Sequence, residues 1–409
     1  PFFDSDSLAQ GDWELAAFYE PAWSTTRGWP RSCTFHEGRL YMGGSKALVN
    51  TLWGSKIGQF YAYFPTENLA DDALAAQLDT DQVNPIVALR SGRDLQIFTD
   101  SAEFFVPQAD LDPITPTNIV VKSASKRGMK HGIRPAAAES GTLFIQKSGR
   151  ALREFNFSDS ELSYVSTNIS LLSSHLIINP QDMTLRSSTS TDEGDLLLIV
   201  NGTATADTRG ISADLQGSIA AYTLLRAQNV VAPARWITDG TFLNAATDID
   251  DVYVIVKRTI GSTAKYYVEV FDQDRTTDSS LQYYSGASSP DVAIPTNTTA
   301  SGLGHLEGKI LDVVADDITE TDKTVSSGAI TLDSVPATYV EAGLPYSVEV
   351  ITMPFETRLP SGNVQGQRRR VLEATPLLGY SRTSQLTITQ TQPLFFTLLG
   401  LEYKVSVSQ

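Results

Sequence analysis

The sequence predicts an all-β protein, and three observations predict it. Apolar residues recur with period two rather than 3.6, as in Val252, Val254 and Val256 of DVYVIVKR, which is the alternation of a half-buried strand. Turns centred on Gly separate many such runs, which is the hairpin signal. Ser and Thr together number 81 against 78 charged residues, so hydroxyls coat the surface as much as ions do, a composition that suits strands better than helices.

Taken in chain order, the turns are spaced. HEGR centres near Gly38, SGRD near Gly92, ESGT near Gly141, DEGD near Gly194 and DIDD near Asp250, at intervals of 54, 49, 53 and 56 residues. A short apolar strand follows each: RLYMGG, LQIFT, TLFIQ, LLLIV and VYVIV. One strong hairpin per 50 or so residues is the pattern of propeller blades, with chance spacing in a hairpin-rich sandwich as the other reading. The expectation is a β-propeller-like body of roughly 50-residue blades over residues 1–300. Two stretches look helical: Glu67 to Leu78, with Leu69, Ala73, Leu74 and Leu78 spaced for one face, and a short turn around Ile169 to Leu176.

Near residue 285 the composition changes. SGASSPDVAIPTNTTASG is short of large apolar groups and dense in Gly, Pro, Ser and Thr, which reads as a linker or long loop. Beyond it, residues 301–409 are expected to form a smaller C-terminal β domain, with strands at Ile310 to Val314, Ala329 to Leu332, Tyr346 to Ile351 and Gln385 to Thr389. The last strand, Leu401 to Val407, is expected to return to the body.

Charge and cysteine usage narrow the function. The net charge is −16, which disfavours tight non-specific clamping of nucleic acid, because phosphate binding needs a basic footprint. No apolar run approaches the length of a membrane span, so stable membrane insertion is not expected. No basic segment followed by an apolar one opens the chain, and no secretory signal is expected. The chain starts at Pro1, so an upstream part is expected to precede it. With Cys33 as the single cysteine, an internal disulfide or thiolate cluster is excluded.

HEGRL has His36 and Glu37 but Leu40 where a zincin needs a second His, and Gly38 makes it a turn. GGSK at 43–46 lacks the spacing of a phosphate loop, and no G-x-S-x-G elbow occurs. DQDRTTD at 272–278 alternates oxygen ligands, but Tyr283 sits where a calcium loop places its Glu. The histidines His36, His131, His175 and His305 are dispersed. No catalytic residue, metal or cofactor is therefore assigned. Two basic clusters stand out: Lys122, Lys126, Arg127, Lys130 and Arg134, and the run Arg368, Arg369, Arg370. Either they are solvated loops or salt bridges to a neighbouring subunit, or they touch nucleic acid phosphates intermittently.

Five segments together resemble one family. They are AWSTTRGWPRSCTFHEGRLYMGGS with the following TLWGSKIGQFYAYF; LQIFTDSAEFFV; NISLLSSHLI; GLGHLEGKILDVVADD with SGAITLD and GLPYSVEVITMP; and the closing QTQPLFFTLLGLEYKVSV. In this order, from about Trp23 to Val407, they are similar to the tail tubular protein B or nozzle proteins of short-tailed bacteriophages (podoviruses). GLGHLEGK followed by GLPY about 40 residues later is the most telling pair.

The resemblance implies a virion structural protein assembled in the host cytoplasm. It implies a homo-oligomer, a hexameric ring, at the distal end of the tail below an adaptor ring. Such a ring carries tail fibres and forms the conduit and gate through which double-stranded DNA is ejected. A virion fibre or receptor-binding β module is the alternative, and a polysaccharide-degrading enzyme is a third reading. The family has no catalytic residues to carry over. Read physically, Trp23, Trp29, Phe35, Leu40 and Tyr41 are expected to build the strands of one blade in core roles, with Gly28, Trp29 and Pro30 as an extended entry and Gly43 and Gly44 as a tight exit.

Overall fold

The computed structural model describes residues 22–352 except 65–68, 79–82, 108–112, 140, 190–193, 204–214, 226–227, 229, 273–274 and 287–291; beyond 352 it describes only strands at 358–359, 362–363, 385–391 and 402–408. The chain divides into two compact units, Pro1–Trp236 and Ile237–Gln409.

The N-terminal unit is propeller-like: among the described residues it is four successive antiparallel meanders of four strands each. The first sheet is β1 (Ser32–His36), β2 (Arg39–Gly43), β3 (Thr51–Gly54) and β4 (Leu74–Gln77). The second is β5 (Ile86–Ser91), β6 (Leu95–Thr99), β7 (Glu103–Val106) and β8 (Lys122–Ser125). The third is β9 (Ala136–Ala138), β10 (Gly141–Ile145), β11 (Leu152–Ser158) and β12 (Ser163–Asn168), and the fourth β13 (Pro180–Arg186), β14 (Asp195–Asn201), β15 (Ile219–Leu225) and β16 (Val230–Trp236).

The spaced turns occupy one place in each sheet. Those at Gly38, Gly92, Gly141 and Gly194 join the first and second strands of sheets one to four. HEGR is the tight hairpin its residues predict, with Glu37 at φ 46° and Gly38 at φ 72°, the left-handed pair such a two-residue turn demands.

In the middle sheets the inner strands β6, β7 and β10 are buried on both faces, so they read as largely apolar runs. Leu95 and Ile97 of β6 share a core with Tyr41, Leu52 and Leu74 of the first sheet. Phe98, pointing the other way, shares one with Phe144 and Phe155 of the third, at ring distances of 5.1 and 5.4 Å. Leu143 and Ile145 of β10 then face Met183, Leu197 and Tyr222 of the fourth. This face-to-face stacking follows from period-two strands with apolar residues on both faces. At Gly43 sheets one and two approach closely, since a Cβ there would meet Ile86 at 2.8 Å.

The C-terminal unit opens with a three-stranded meander, β17 (Thr241–Asp248), β18 (Asp251–Ile260) and β19 (Thr263–Phe271), and the fifth turn, at Asp250, joins its first two strands. Next come β20 (Asp278–Tyr284), β21 (Val292–Ala293), β22 (Thr299–Ser301), β23 (Ile310–Ala315), β24 (Ile318–Thr324), β25 (Ala329–Thr331) and β26 (Tyr339–Leu344). They form a five-stranded sheet ordered β21-β20-β26-β23-β24 and a pair, β22-β25, over a core of Tyr283, Leu306, Leu311, Val313, Val340 and Ala342. The remaining strands are β27 (Ser347–Thr352), β28 (Arg358–Leu359), β29 (Gly362–Asn363), β30 (Gln385–Thr391) and β31 (Glu402–Ser408).

Four expectations are corrected. The division lies at Trp236/Ile237 rather than near residue 300, because β20, before the Ser- and Thr-rich stretch, pairs with β26 after it; that stretch is a loop within one unit. The final strand β31 pairs with β27 and β30, both in its own unit. The expected helix over 67–78 contains instead strand β4, which pairs with β3 from Gly54 to Thr51; cross-strand pairing overrides a weak helical spacing. Trp29 and Phe35 are 63 % and 61 % exposed rather than core, while Leu40 and Tyr41 are buried. The second helical expectation survives as a single 3-10 turn, Ser174–Leu176.

Candidate functional site

The first basic cluster lies on the outer strand of the second sheet and the loop that leads to the third. Strand β8 presents Lys122 to solvent, and Lys126, Arg127 and Arg134 are likewise exposed. None of these four side chains has an ion-pair or hydrogen-bond partner among the described residues. Lys130 is half-buried and its Nζ donates to Oδ1 of Asn179 at 3.4 Å.

The loop is held from beneath by two acids. Glu103 of β7 is fully buried and accepts hydrogen bonds from the Ser125 hydroxyl and from the Arg127 backbone N–H at 3.2 Å. Burial pushes its carboxyl above the ordinary glutamate range, although those bonds pull the other way. Asp100 accepts from Lys147 Nζ at 2.5 Å and from His131 Nε2 at 3.1 Å. Burial would raise its carboxyl, but the bonds from Lys147 and His131 hold it below the usual range.

Backbone contacts complete the anchor. Met129 N–H donates to Thr99 O at 2.9 Å, and Lys147 N–H to Gly128 O at 2.8 Å. Gly128 has φ +73°, and a Cβ there would stand 2.2 Å from Asp100 O, so only glycine passes this point. Beneath the loop, Arg153 is 8 % exposed, with Nε donating to Gln146 Oε1 at 2.7 Å. Burial lowers its pKa, and the nearby Arg127 charge adds to the effect.

This geometry presents a band of solvated cations on a chain that is otherwise acidic. Such a band can take phosphate or carboxylate groups at its surface. The second cluster, Arg368 to Arg370, lies outside the described residues.

The other residues singled out by sequence are engaged elsewhere. His36 is buried with Nδ1 2.9 Å from Ser91 Oγ, and burial lowers its pKa. His305 Nε2 lies 3.0 Å from Ser279 O, and His175 sits in the 3-10 turn. In the DQDRTTD segment, Asp272 pairs with Arg275 and Asp278 accepts from Thr238. Among the described residues, no three His, Cys, Asp or Glu side chains converge as a metal-ligand set, and no helix is long and apolar enough to cross a membrane.

Sequence reasoning missed several buried ionic centres, among them Arg39 and Glu341. Arg39 is 1 % exposed and donates to the carbonyls of Ser55, Asp72 and Ala70 at 2.5–2.6 Å. Glu341 is fully buried and accepts from the backbone and hydroxyls of Thr276 and Thr277 and from Tyr339 OH. Charged residues inside otherwise apolar strands, as in RLYMG and YVEAGL, were the available signal.

No protein-family description and no curated protein matches the sequence. Among solved structures the chain is similar to human WBSCR16, at 12 % identity and TM-score 0.34, over 58 % of this chain and 66 % of that one. It is also similar to the N-terminal domain of Nup159, at 10 % identity and TM-score 0.31, over 76 % and 74 %. A third is a S. cerevisiae complex of Dbp5 with Nup159, at 9 % identity and TM-score 0.31, over 91 % and 87 %. The chain thus spans just under two thirds of WBSCR16. Likeness at these scores carries no functional argument, and the propeller-like description rests on strand order and the alternating cores.

Proposed function

We propose that this chain is a virion structural protein, the subunit of the ring-shaped nozzle at the end of a short phage tail. The observation that carries the reading is the ordered series of family-like segments from about Trp23 to Val407. A unit of face-packed four-stranded sheets suits a conduit wall, because stacked sheets buried on both faces resist deformation. In this reading six copies surround a channel for double-stranded DNA, an adaptor ring binds above, and tail fibres attach outside. At −16 per copy, most of the wall repels the duplex within about 8 Å, the Debye length at physiological salt. The band from Lys122 to Arg134 is then either a subunit contact or one isolated basic girdle. Negative-stain imaging of purified tails tests it: a ring with a central hole that labels with antibody to this chain is the expected result. A trimeric rod would favour the fibre or receptor-binding reading instead, and absence of the chain from virions would end both.

A further inference from the structure

The third strand of the fifth meander is a long, regular outer edge. In the N-terminal unit the outer strands β4 and β8 are four residues long, β8 opens on Lys122, and β16 carries Pro233. Shortness and proline are devices that keep edges from pairing with other chains. Strand β19 has nine residues, TAKYYVEVF, with no Pro or Gly and nine consecutive partners in β18 without a bulge. Among the described residues, Thr263 to Val270 of β19 have ladder partners in β18 alone, so along those residues the outer edge offers backbone donors and acceptors to a further strand.

The side chains of that edge are self-complementary. An antiparallel pairing of two copies of β19 about Tyr267 sets Lys265 opposite Glu269 of the second copy, and the reverse. On the opposite face it sets Tyr266 against Val268 and Ala264 against Val270. Tyr266, Val268 and Val270 are 63 %, 73 % and 50 % exposed. They continue an apolar strip across β18, where Val268 pairs with Ile255 and Val270 with Tyr253. Slipping the register by two residues in either direction sets Lys265 against Tyr267 or Phe271 and loses both charge pairs. Moving it by one sets charged positions against apolar ones. Glu269 already holds Arg258 through both oxygens, and Oε1 also takes Ser279, but Oε2 keeps a lone pair for Lys265.

We infer that β19 is a homotypic docking edge: two copies of this chain join antiparallel through β19 about a two-fold at Tyr267, making one continuous six-stranded sheet. The contact is isologous, so it pairs free subunits or two assemblies and does not itself build a ring.

Sedimentation of the free full chain at micromolar concentration reads the contact. The expected result is a monomer–dimer equilibrium, weakened about tenfold by Lys265→Glu, which turns both charge pairs repulsive. Val268→Lys, at an exposed site, is expected to weaken it likewise, with unchanged circular dichroism in both variants. Register is read by cysteine cross-linking in a Cys33→Ser background. Tyr267→Cys meets its own counterpart across the two-fold, at the roughly 4.5–5.5 Å Cα separation that a disulfide spans. It is expected to give a covalent dimer under mild oxidant, whereas Thr263→Cys, opposite Phe271 of the second copy, is not. A monomer at all concentrations, a dimer or larger oligomer indifferent to both charge variants, or equal cross-linking at 263 and 267 would overturn the inference. The nozzle reading is tested on virions and this one on free protein, so either can fail without the other.

Discussion

Arg258 and Glu269 meet across neighbouring strands as a bidentate pair, with Nε to Oε1 at 2.8 Å and Nη2 to Oε2 at 2.7 Å, and the arginine is 1 % exposed. A third bond, from Nη1 to Asp239 O at 2.8 Å, ties the fork to the entry of β17. Asp278 stands 3.9 Å away. The centre therefore joins the three-stranded meander to the start of β20 through one side chain.

Removing that cation should cost much of the unit's stability. Arg258→Met leaves Glu269 without its partner in a partly buried site, and breaking such a pair costs about 3–5 kcal/mol. Urea unfolding should show the loss. Arg258→Lys should recover only part of it, because a lysine cannot reproduce the fork.

Glu341 sets an acid limit. Burial alone would raise its carboxyl, but hydrogen bonds from Tyr339, Thr277 and Thr276 outweigh it and hold the group below the ordinary value. A depressed folded-state pKa contributes stability that is present above the unfolded value, about 4.3, and is lost as pH falls through the lower folded value. Glu341→Gln should therefore be less stable than the parent above pH about 4.3. The difference should shrink on acidification below it, as read from unfolding midpoints across that window.

The two packing sites differ in kind. Phe98 is fully buried between sheets two and three, and Phe98→Ala should cost about 3–5 kcal/mol. Gly128→Ala fails for a different reason, since a Cβ would strike Asp100 O. It should destabilise by about 1–3 kcal/mol and raise proteolytic nicking between Lys122 and Arg134, as seen by limited trypsin digestion.

The solvated cations should be silent in folding and audible in binding. Changing Lys122, Lys126, Arg127 and Arg134 together to Gln should leave the unfolding midpoint within about 0.5 kcal/mol of the parent, because none has an internal partner. Retention on heparin should fall to that of an uncharged matrix, and the salt dependence of weak duplex binding should flatten by up to about four phosphate contacts. Unchanged retention would remove this band from any polyanion role.

What the sequence determined by itself was local. Alternation and turn residues fix backbone geometry within a few positions, so the hairpins at Gly38, Gly92, Gly141, Gly194 and Asp250 were legible, and with them the repeat of about one sheet per 50 residues. The exposed cations from Lys122 to Arg134 were legible because solvated charge needs no partner. Tertiary structure decided the rest. Leu74 lies in a strand because β3 offers it a ladder, and the units divide at Trp236/Ile237 because β20 finds β26 across a long loop. Phe35 is exposed and Phe98 buried, although both are aromatic residues in short strands, because only the second has a sheet stacked on either side. Local preferences are worth about 1 kcal/mol or less per residue, whereas burying one large side chain between sheets is worth several times that, so contacts between residues far apart in sequence overrule what each segment prefers alone.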